Sequence, residues 1–331
     1  MAHTLPPTAL TPSAAGPESV RPGLWATFGR LAPYLLRRGL TDLFITGSGE
    51  LWCNGPDGLR HAPGETFDPA EARALAVALI ARGGRHLDEV SPFVDVVLAG
   101  GVRVHAVLPP VSTGGALVSI RVPRNAAPSM RELLSARFLT VEQHDVLLRA
   151  VRERSNILIS GPGGAGKTTL LGALLAEAPP TERIVLIEDV AELRVTHPHV
   201  VGLQTRQPNL EGAGGVDLRR LVREALRMRP DRLVLGECRG EEVRELLSAL
   251  NTGHDGGAGT LHANSLVDVP ARLEALGSLA GLGESALARQ AVSALDLLVH
   301  LSRPSRGRRV EALGRPAIGA SGRLVVEQVP V

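Results

Sequence analysis

The chain predicts an α/β fold in two parts, a smaller α+β domain followed by a larger three-layer domain built on a largely parallel sheet. Three observations predict it. Apolar strand-like runs alternate with helix-like stretches from residue 183 onward. A glycine-rich turn, Gly161-Pro162-Gly163-Gly164-Ala165-Gly166-Lys167-Thr168, stands between the apolar run Asn156-Ile157-Leu158-Ile159-Ser160 and a helical stretch over 169–177. Before residue 121 the pattern changes to several short strands around one clear helix.

Taken in order, residues 1–22 carry Pro6, Pro7, Pro12, Pro17 and Pro22 with no apolar period, which predicts a disordered tail rather than a targeting peptide. The first domain then spans 23–121. A helix is expected over 24–38 around Pro33, strands over 42–46 and 50–53, and a helix over 69–82, where apolar residues recur at helical spacing. Residues 93–98 and 102–108 read as a hairpin about Gly100-Gly101, and 116–121 as a further strand. Prolines and lost periodicity make 122–139 a linker. Thr140-Val141-Glu142-Gln143 is a capping box that opens a helix ending near Arg154. The second domain covers 140–331. Beyond the glycine turn it holds strands over 183–187, 200–204, 232–235 and 258–261, and helices over 218–228, 240–250, 267–277 and 284–298. A basic turn at 302–309 and closing strands near 310–313 and 324–329 complete it.

Composition bounds the function. A length of 331 residues allows two domains, and 44% hydrophobic with 21% charged residues is the balance of a soluble globular protein. The net charge of +2 and the 2% aromatic content argue against a general nucleic-acid binder. The two cysteines, Cys53 and Cys238, lack CxxC spacing and are expected as reduced thiols, with no metal site implied. No apolar run approaches the ~20 residues of a membrane span.

The glycine turn fits the template of a glycine, four residues, then Gly-Lys-[Ser/Thr]. Such a turn points successive backbone N–H groups at phosphate oxygens, beside a helix N-terminus whose dipole favours negative charge. Lys167 would neutralise the β- and γ-phosphates, and Thr168, followed by Thr169 in the opening helix, would offer its hydroxyl to Mg²⁺. Lys167 is also the only lysine among 36 Lys and Arg residues. A compact ammonium on a flexible stem slips between phosphates where a planar guanidinium crowds them, so this arginine-rich chain keeps lysine where its geometry matters.

Hydrolysis further requires carboxylates. Ile184-Val185-Leu186-Ile187 runs into Glu188-Asp189, and Leu233-Val234-Leu235 runs into Gly236-Glu237, placing acidic groups at the carboxyl edge of a parallel sheet. No aspartate follows Leu235, so Glu237 is expected to serve Mg²⁺ through bound water. His254 and His262 flank a glycine-rich turn and a short strand. Metal ligation would need a third ligand at suitable spacing, and none accompanies them, so a γ-phosphate-sensing role fits better.

Four segments in one order, the glycine turn, Ile187-Glu188-Asp189-Val190-Ala191-Glu192-Leu193, Leu235-Gly236-Glu237-Cys238-Arg239-Gly240, and Thr252-Gly253-His254 through Thr260-Leu261-His262-Ala263-Asn264-Ser265, resemble the secretion ATPase superfamily of type II and type IV secretion and type IV pili. They match its Walker A, aspartate, Walker B and histidine boxes. Leu203-Gln204-Thr205-Arg206, Arg227-Met228-Arg229-Pro230-Asp231-Arg232 and the stretch 101–110 resemble its Tad/CpaF branch, which powers Flp-type pilus assembly.

The resemblance implies a RecA-like P-loop ATPase domain behind the smaller domain, ATP and Mg²⁺ as ligands, and a ring homo-hexamer. It also implies a cytoplasmic location at the inner face of the membrane through a platform protein. Arg121, and with less support Arg124 and Arg103, match arginines that reach the γ-phosphate. Glu188 and Glu237 resemble the water-activating and Walker B glutamates, with the choice of base left open, and Arg206 and Arg239 match arginines near the site or a subunit boundary. The cysteines of the zinc module found in some relatives are missing, so no zinc is expected, and the tail 1–22 stands where many relatives carry an extra helical domain. Two other readings stay open: a conjugation-type nucleic-acid motor, and a nucleotide-dependent assembly protein with little turnover.

Overall fold

The computed structural model describes residues 28–37, 39–55, 58–98, 101–122, 127–206, 208, 213–304 and 307–330. It divides into two compact units, Met1–Asn125 and Ala126–Val331. The expected tail over 1–22 lies outside the described residues.

The first unit is a six-stranded sheet in the order β3-β2-β1-β6-β5-β4, formed by β1 (Asp42–Ile45), β2 (Glu50–Gly55), β3 (Gly58–Thr66), β4 (Phe93–Val97), β5 (Arg103–Val107) and β6 (Leu117–Arg121). All its pairings are antiparallel. Instead of a helix over 24–38, the described part holds a single 3₁₀ turn, Gly29–Leu31, and the one-turn α1 (Ala32–Leu35), with Pro33 in its first turn. The long helix α2 (Pro69–Arg82) starts at a reciprocal cap: the Asp68 carboxylate accepts from the Ala70 and Glu71 N–H groups, and Glu71 reaches back to the Asp68 N–H. Its Ala72, Ala76, Leu79 and Ile80 share a core with Leu43 and Ile45 of β1, Val104 and Ala106 of β5, and Val118 and Ile120 of β6. Alternation therefore sends Arg103 and Arg121 to the other sheet face, where their Cα atoms are direct cross-strand partners. Strand β3 was not expected. Pro63 and Gly64 mask it, and both are tolerated because β3 is an edge strand.

In the second unit, α3 (Met130–Ser135) occupies part of the stretch expected as a linker. A capping box starts it, Ser129 with Glu132, and Met130, Leu133, Phe138 and Leu139 join the core of this unit. There follow α4 (Val141–Arg152), with the expected Thr140–Gln143 box, β7 (Ile157–Ser160), α5 (Lys167–Ala176), β8 (Ile184–Glu188), β9 (Val200–Gln204), α6 (Leu218–Leu226), β10 (Arg232–Cys238), α7 (Glu242–Leu250) and β11 (Ala258–Leu261). A 3₁₀ turn (Leu266–Asp268), α8 (Val269–Leu279), α9 (Glu284–Ala294), β12 (Leu297–Ser302), β13 (Arg309–Ile318) and β14 (Leu324–Val329) complete the unit. The sheet order is β14-β13-β12-β7-β11-β10-β8-β9. Strands β12 to β9 are parallel, and β13 and β14 add antiparallel.

One expected helix is shorter than its apolar pattern. It ends at Ala294, not 298, because Leu295 turns extended and Leu297 begins a strand beside β7. There the Asn156 N–H donates to the Asp296 carboxylate at 2.7 Å. The inner parallel strands β12, β7, β11, β10 and β8 are largely buried on both faces, whereas the edge strand β9 is partly exposed. Ile157, Ile159, Ile184, Leu186, Val234 and Val299 point to the layer of α3, α4 and α5, whereas Leu158, Val185, Ile187, Leu233, Leu235 and Leu298 point to the layer of α6 to α9.

A buried ion cluster ties the amino edge of this sheet. The Arg232 guanidinium, 2% exposed, pairs with Glu182 and donates to the Val151 carbonyl at 2.8 Å and the Gly256 carbonyl at 3.2 Å. Arg154 donates to the other Glu182 oxygen at 2.6 Å. Removing the carboxylate leaves a buried guanidinium uncompensated, which costs about 3–5 kcal/mol. Glu182→Ala is therefore expected to lose about that much stability in denaturant unfolding, and a variant as stable as wild type would contradict the assignment.

Candidate active site

The site is built where β7 turns into α5. Gly161 has φ +151°, and a Cβ there would sit 2.6 Å from the Leu301 carbonyl oxygen of β12. Gly166, at φ +102°, is the N-cap of α5, and a side chain on it would press on the Phe138 ring. The loop can take this path only with glycine at both places. Gly163 and Gly164 are exposed, Ala165 is buried, and Thr168 and Thr169 are half-buried in the first turn of α5.

Lys167 is 7% exposed, and its Nζ donates to the carbonyls of Gly161 at 2.9 Å and Pro162 at 3.2 Å. It also lies 3.4 Å from His262 Nδ1. Burial pulls the lysine pKa down, and Glu237 opposes that. His262 Nε2 lies 2.5 Å from Glu237 Oε1. Burial and then the Lys167 charge lower the imidazole pKa, which favours a neutral ring. The network is satisfied when Nδ1 accepts from the ammonium and Nε2–H donates to Glu237. Arg239 clasps the other Glu237 oxygen and stands 3.9 Å from the Asp189 carboxylate.

Glu188, the last residue of β8, is 7% exposed, and its Oε1 accepts from the Glu192 and Leu193 N–H groups at 2.9 Å each. Burial raises its pKa, and those two N–H groups work the other way. Beside the loop an open cleft of about 470 Å³ is lined by Pro162, Gly163, His262, Asn264, Asp268 and Arg272. No motif marked Asp268 or Arg272. Asp268 closes the 3₁₀ turn that follows β11, and Arg272 lies in α8 just after it.

Lys167, Glu188, Glu237, Arg239 and His262 are thus gathered on one sheet edge. His254 is not among them. It lies before β11, at the opposite edge of the parallel sheet, with Nδ1 3.2 Å from the Ala249 carbonyl. Arg206 follows the edge strand β9, where its backbone bridges Val216. Arg121 ends β6 in the first unit, exposed and cross-strand from both Arg103 and Asp42. Arg124 lies outside the described residues. Glycines that leave room for a ligand at a helix N-terminus, a buried ammonium and two carboxylates on one edge fit a nucleoside triphosphate with Mg²⁺, which Thr168 and Glu237 would hold.

Comparison with known proteins identifies the family. Residues 87–316 match the type II/IV secretion system protein family. A putative conjugal transfer protein of Mycobacterium tuberculosis is 47% identical over 287 residues, covering 85% of this chain and 82% of that protein. The conjugal transfer protein TrbB of Rhizobium radiobacter is 34% identical over 246 residues, 73% of each chain. The solved pilus retraction motor PilT with bound ADP superposes with a TM-score of 0.62 at 20% identity, over 90% of this chain and 80% of that one, a likeness of fold. The chain belongs to the type II/IV secretion ATPase superfamily, with a small N-terminal domain ahead of a RecA-like ATPase domain.

Proposed function

We propose that the chain is an ATP-hydrolysing motor subunit that drives assembly of a Tad/Flp-type pilus or a related secretion system. It would act as a ring homo-hexamer on the cytoplasmic side of an inner-membrane platform protein. The observation that carries the reading is the meeting of Lys167, Glu237 and His262 at the phosphate loop, with Glu188 packed against Gly236 beside Glu237. Among the described residues no helix is long and apolar enough to cross a membrane, so contact with the platform is assigned to protein surfaces.

The chemistry follows from these side chains. Lys167 exchanges the Gly161 and Pro162 carbonyls for phosphate oxygens, which repay its burial better because they carry full charge. When bound, Mg²⁺ supplies charge neutralisation between the β- and γ-phosphates. Burial raises the Glu188 pKa, which makes its carboxylate a stronger base for a proton taken from an attacking water. Glu237 and His262 respond together to the third phosphate, since the imidazole touches both the lysine and the carboxylate. Arg121 is assigned to the γ-phosphate, and Arg103 beside it adds a second guanidinium. Arg124, Arg206 and Arg239 are proposed to support the nucleotide or the subunit boundary.

The names of the two relatives favour a second reading, a conjugation-type motor acting on nucleic acid. Duplex or single-stranded DNA that stimulates ATP turnover, with stimulation lost as salt rises, would select it over the pilus reading.

Lys167→Ala is expected to abolish ATP binding in titration calorimetry, and retained affinity would remove the lysine from the site. Glu188→Gln and Glu237→Gln are each expected to bind ATP yet turn over about 100-fold or more slowly; full turnover in either would cancel that residue's role. Arg121→Ala should lower turnover while leaving ADP affinity unchanged, and equal losses in both would place it elsewhere.

A further inference from the structure

The side chain of Glu237 does not reach the phosphate-loop face by ordinary strand geometry. In β10, Leu233 and Leu235 point to the layer of α6 to α9, and regular alternation would send Glu237 the same way. Yet Cys238 lies in that layer with Leu233 and Leu235. The phase has slipped by one residue. Pairing with β11 shows where: Val234 opposes Ala258, Leu235 opposes Gly259 and Cys238 opposes Leu261, so Gly236 and Glu237 together face Thr260. Two residues against one is a β-bulge, the device by which a strand re-aims a side chain. It is rare between parallel strands.

Three contacts hold this bulge. The Thr260 hydroxyl, in a residue 1% exposed, donates to the Gly236 carbonyl at 2.6 Å. Gly236 has no side chain, and a Cβ there would meet Glu188 Cγ at 2.8 Å, so the two carboxylate-bearing strands close on each other only with glycine at this position. Glu188 itself follows Ile184 and Leu186 in ordinary alternation onto the α5 side. Beyond the bulge, the Glu242 carboxylate accepts from the Arg239 and Gly240 N–H groups at 2.6 and 2.8 Å and fixes the chain's exit.

We propose that Thr260 is a positioning residue: its hydroxyl pins the Gly236–Glu237 bulge and so turns the Glu237 carboxylate from the α6–α9 face to the phosphate-loop face, beside Glu188, Lys167 and His262. This rests on the reading of Glu237 as a carboxylate of an ATP site. Valine is nearly isosteric with threonine and removes only the hydroxyl; serine restores it.

The test compares wild type, Thr260→Val, Thr260→Ser and Glu237→Gln in the full chain, by ATP turnover at saturating Mg²⁺ and ATP and by amide hydrogen exchange over residues 235–238. Misplacing a catalytic carboxylate by about 1 Å costs up to roughly 100-fold in rate. Thr260→Val is therefore expected to turn over about 10- to 100-fold more slowly at little-changed KM, with faster exchange at the bulge. Thr260→Ser should stay within about threefold of wild type, with wild-type exchange, because it keeps the hydrogen bond. Wild-type turnover and exchange in Thr260→Val would overturn the proposal. So would equal losses in the valine and serine variants, which would make the residue a packing element. A fully active Glu237→Gln is a different failure, of the functional reading, and the exchange comparison then still decides whether Thr260 holds the bulge.

Discussion

A β-strand hands successive side chains to opposite faces, and a site that needs two carboxylates on one face must meet that constraint twice. Strand β8 meets it by register, since Ile184, Leu186 and Glu188 share the side covered by α5. Strand β10 has the wrong parity and inserts one residue. The glycine of the Gly236-Glu237 pair, the buried Thr260 hydroxyl and the loss of alternation at Cys238 are one adjustment seen from three residues. The rest of the edge is arranged around its outcome.

Electrostatics keep that edge tolerable. Lys167, Glu237 and Arg239 alternate in sign, and a neutral imidazole links the first two. Burial lowers the Lys167 pKa and raises that of Glu188. A bound polyanion with its cation would complete the balance better than loop carbonyls do, which is the physical reason the cluster reads as a binding site and not as a structural network like the Arg154–Glu182–Arg232 cluster at the opposite edge.

Much of this is legible in the sequence. The phosphate loop declares itself by glycine spacing, and the Thr140 box by residue type. Glu188 and Glu237 stand out as acids ending apolar runs. Other features leave no such trace. The Leu295-Asp296-Leu297-Leu298 run is apolar enough to prolong a helix, and only its pairing with β7 makes it a strand. Helix α3 hid behind Pro123 and Pro128, although Ser129 and Glu132 carried a capping box at the right spacing. His254 and His262 look equivalent in the sequence, but one precedes a parallel strand and the other follows it, so they fall on opposite edges. The bulge was invisible, because it depends on which residue of β11 faces which residue of β10.

Membership in the secretion ATPase superfamily fixes the scaffold, and the side chains at the sheet edge carry the argument for ATP chemistry. The most direct measurement is a crystal structure of the full chain with Mg²⁺ and a non-hydrolysable ATP analogue. The account predicts Lys167 Nζ on the β- and γ-phosphates, the cation beside the Thr168 hydroxyl, and the Glu188 and Glu237 carboxylates both facing the γ-phosphate from the α5 side. A Glu237 carboxylate turned to the other face of the sheet, or a triphosphate seated away from Gly161–Thr168, would contradict it.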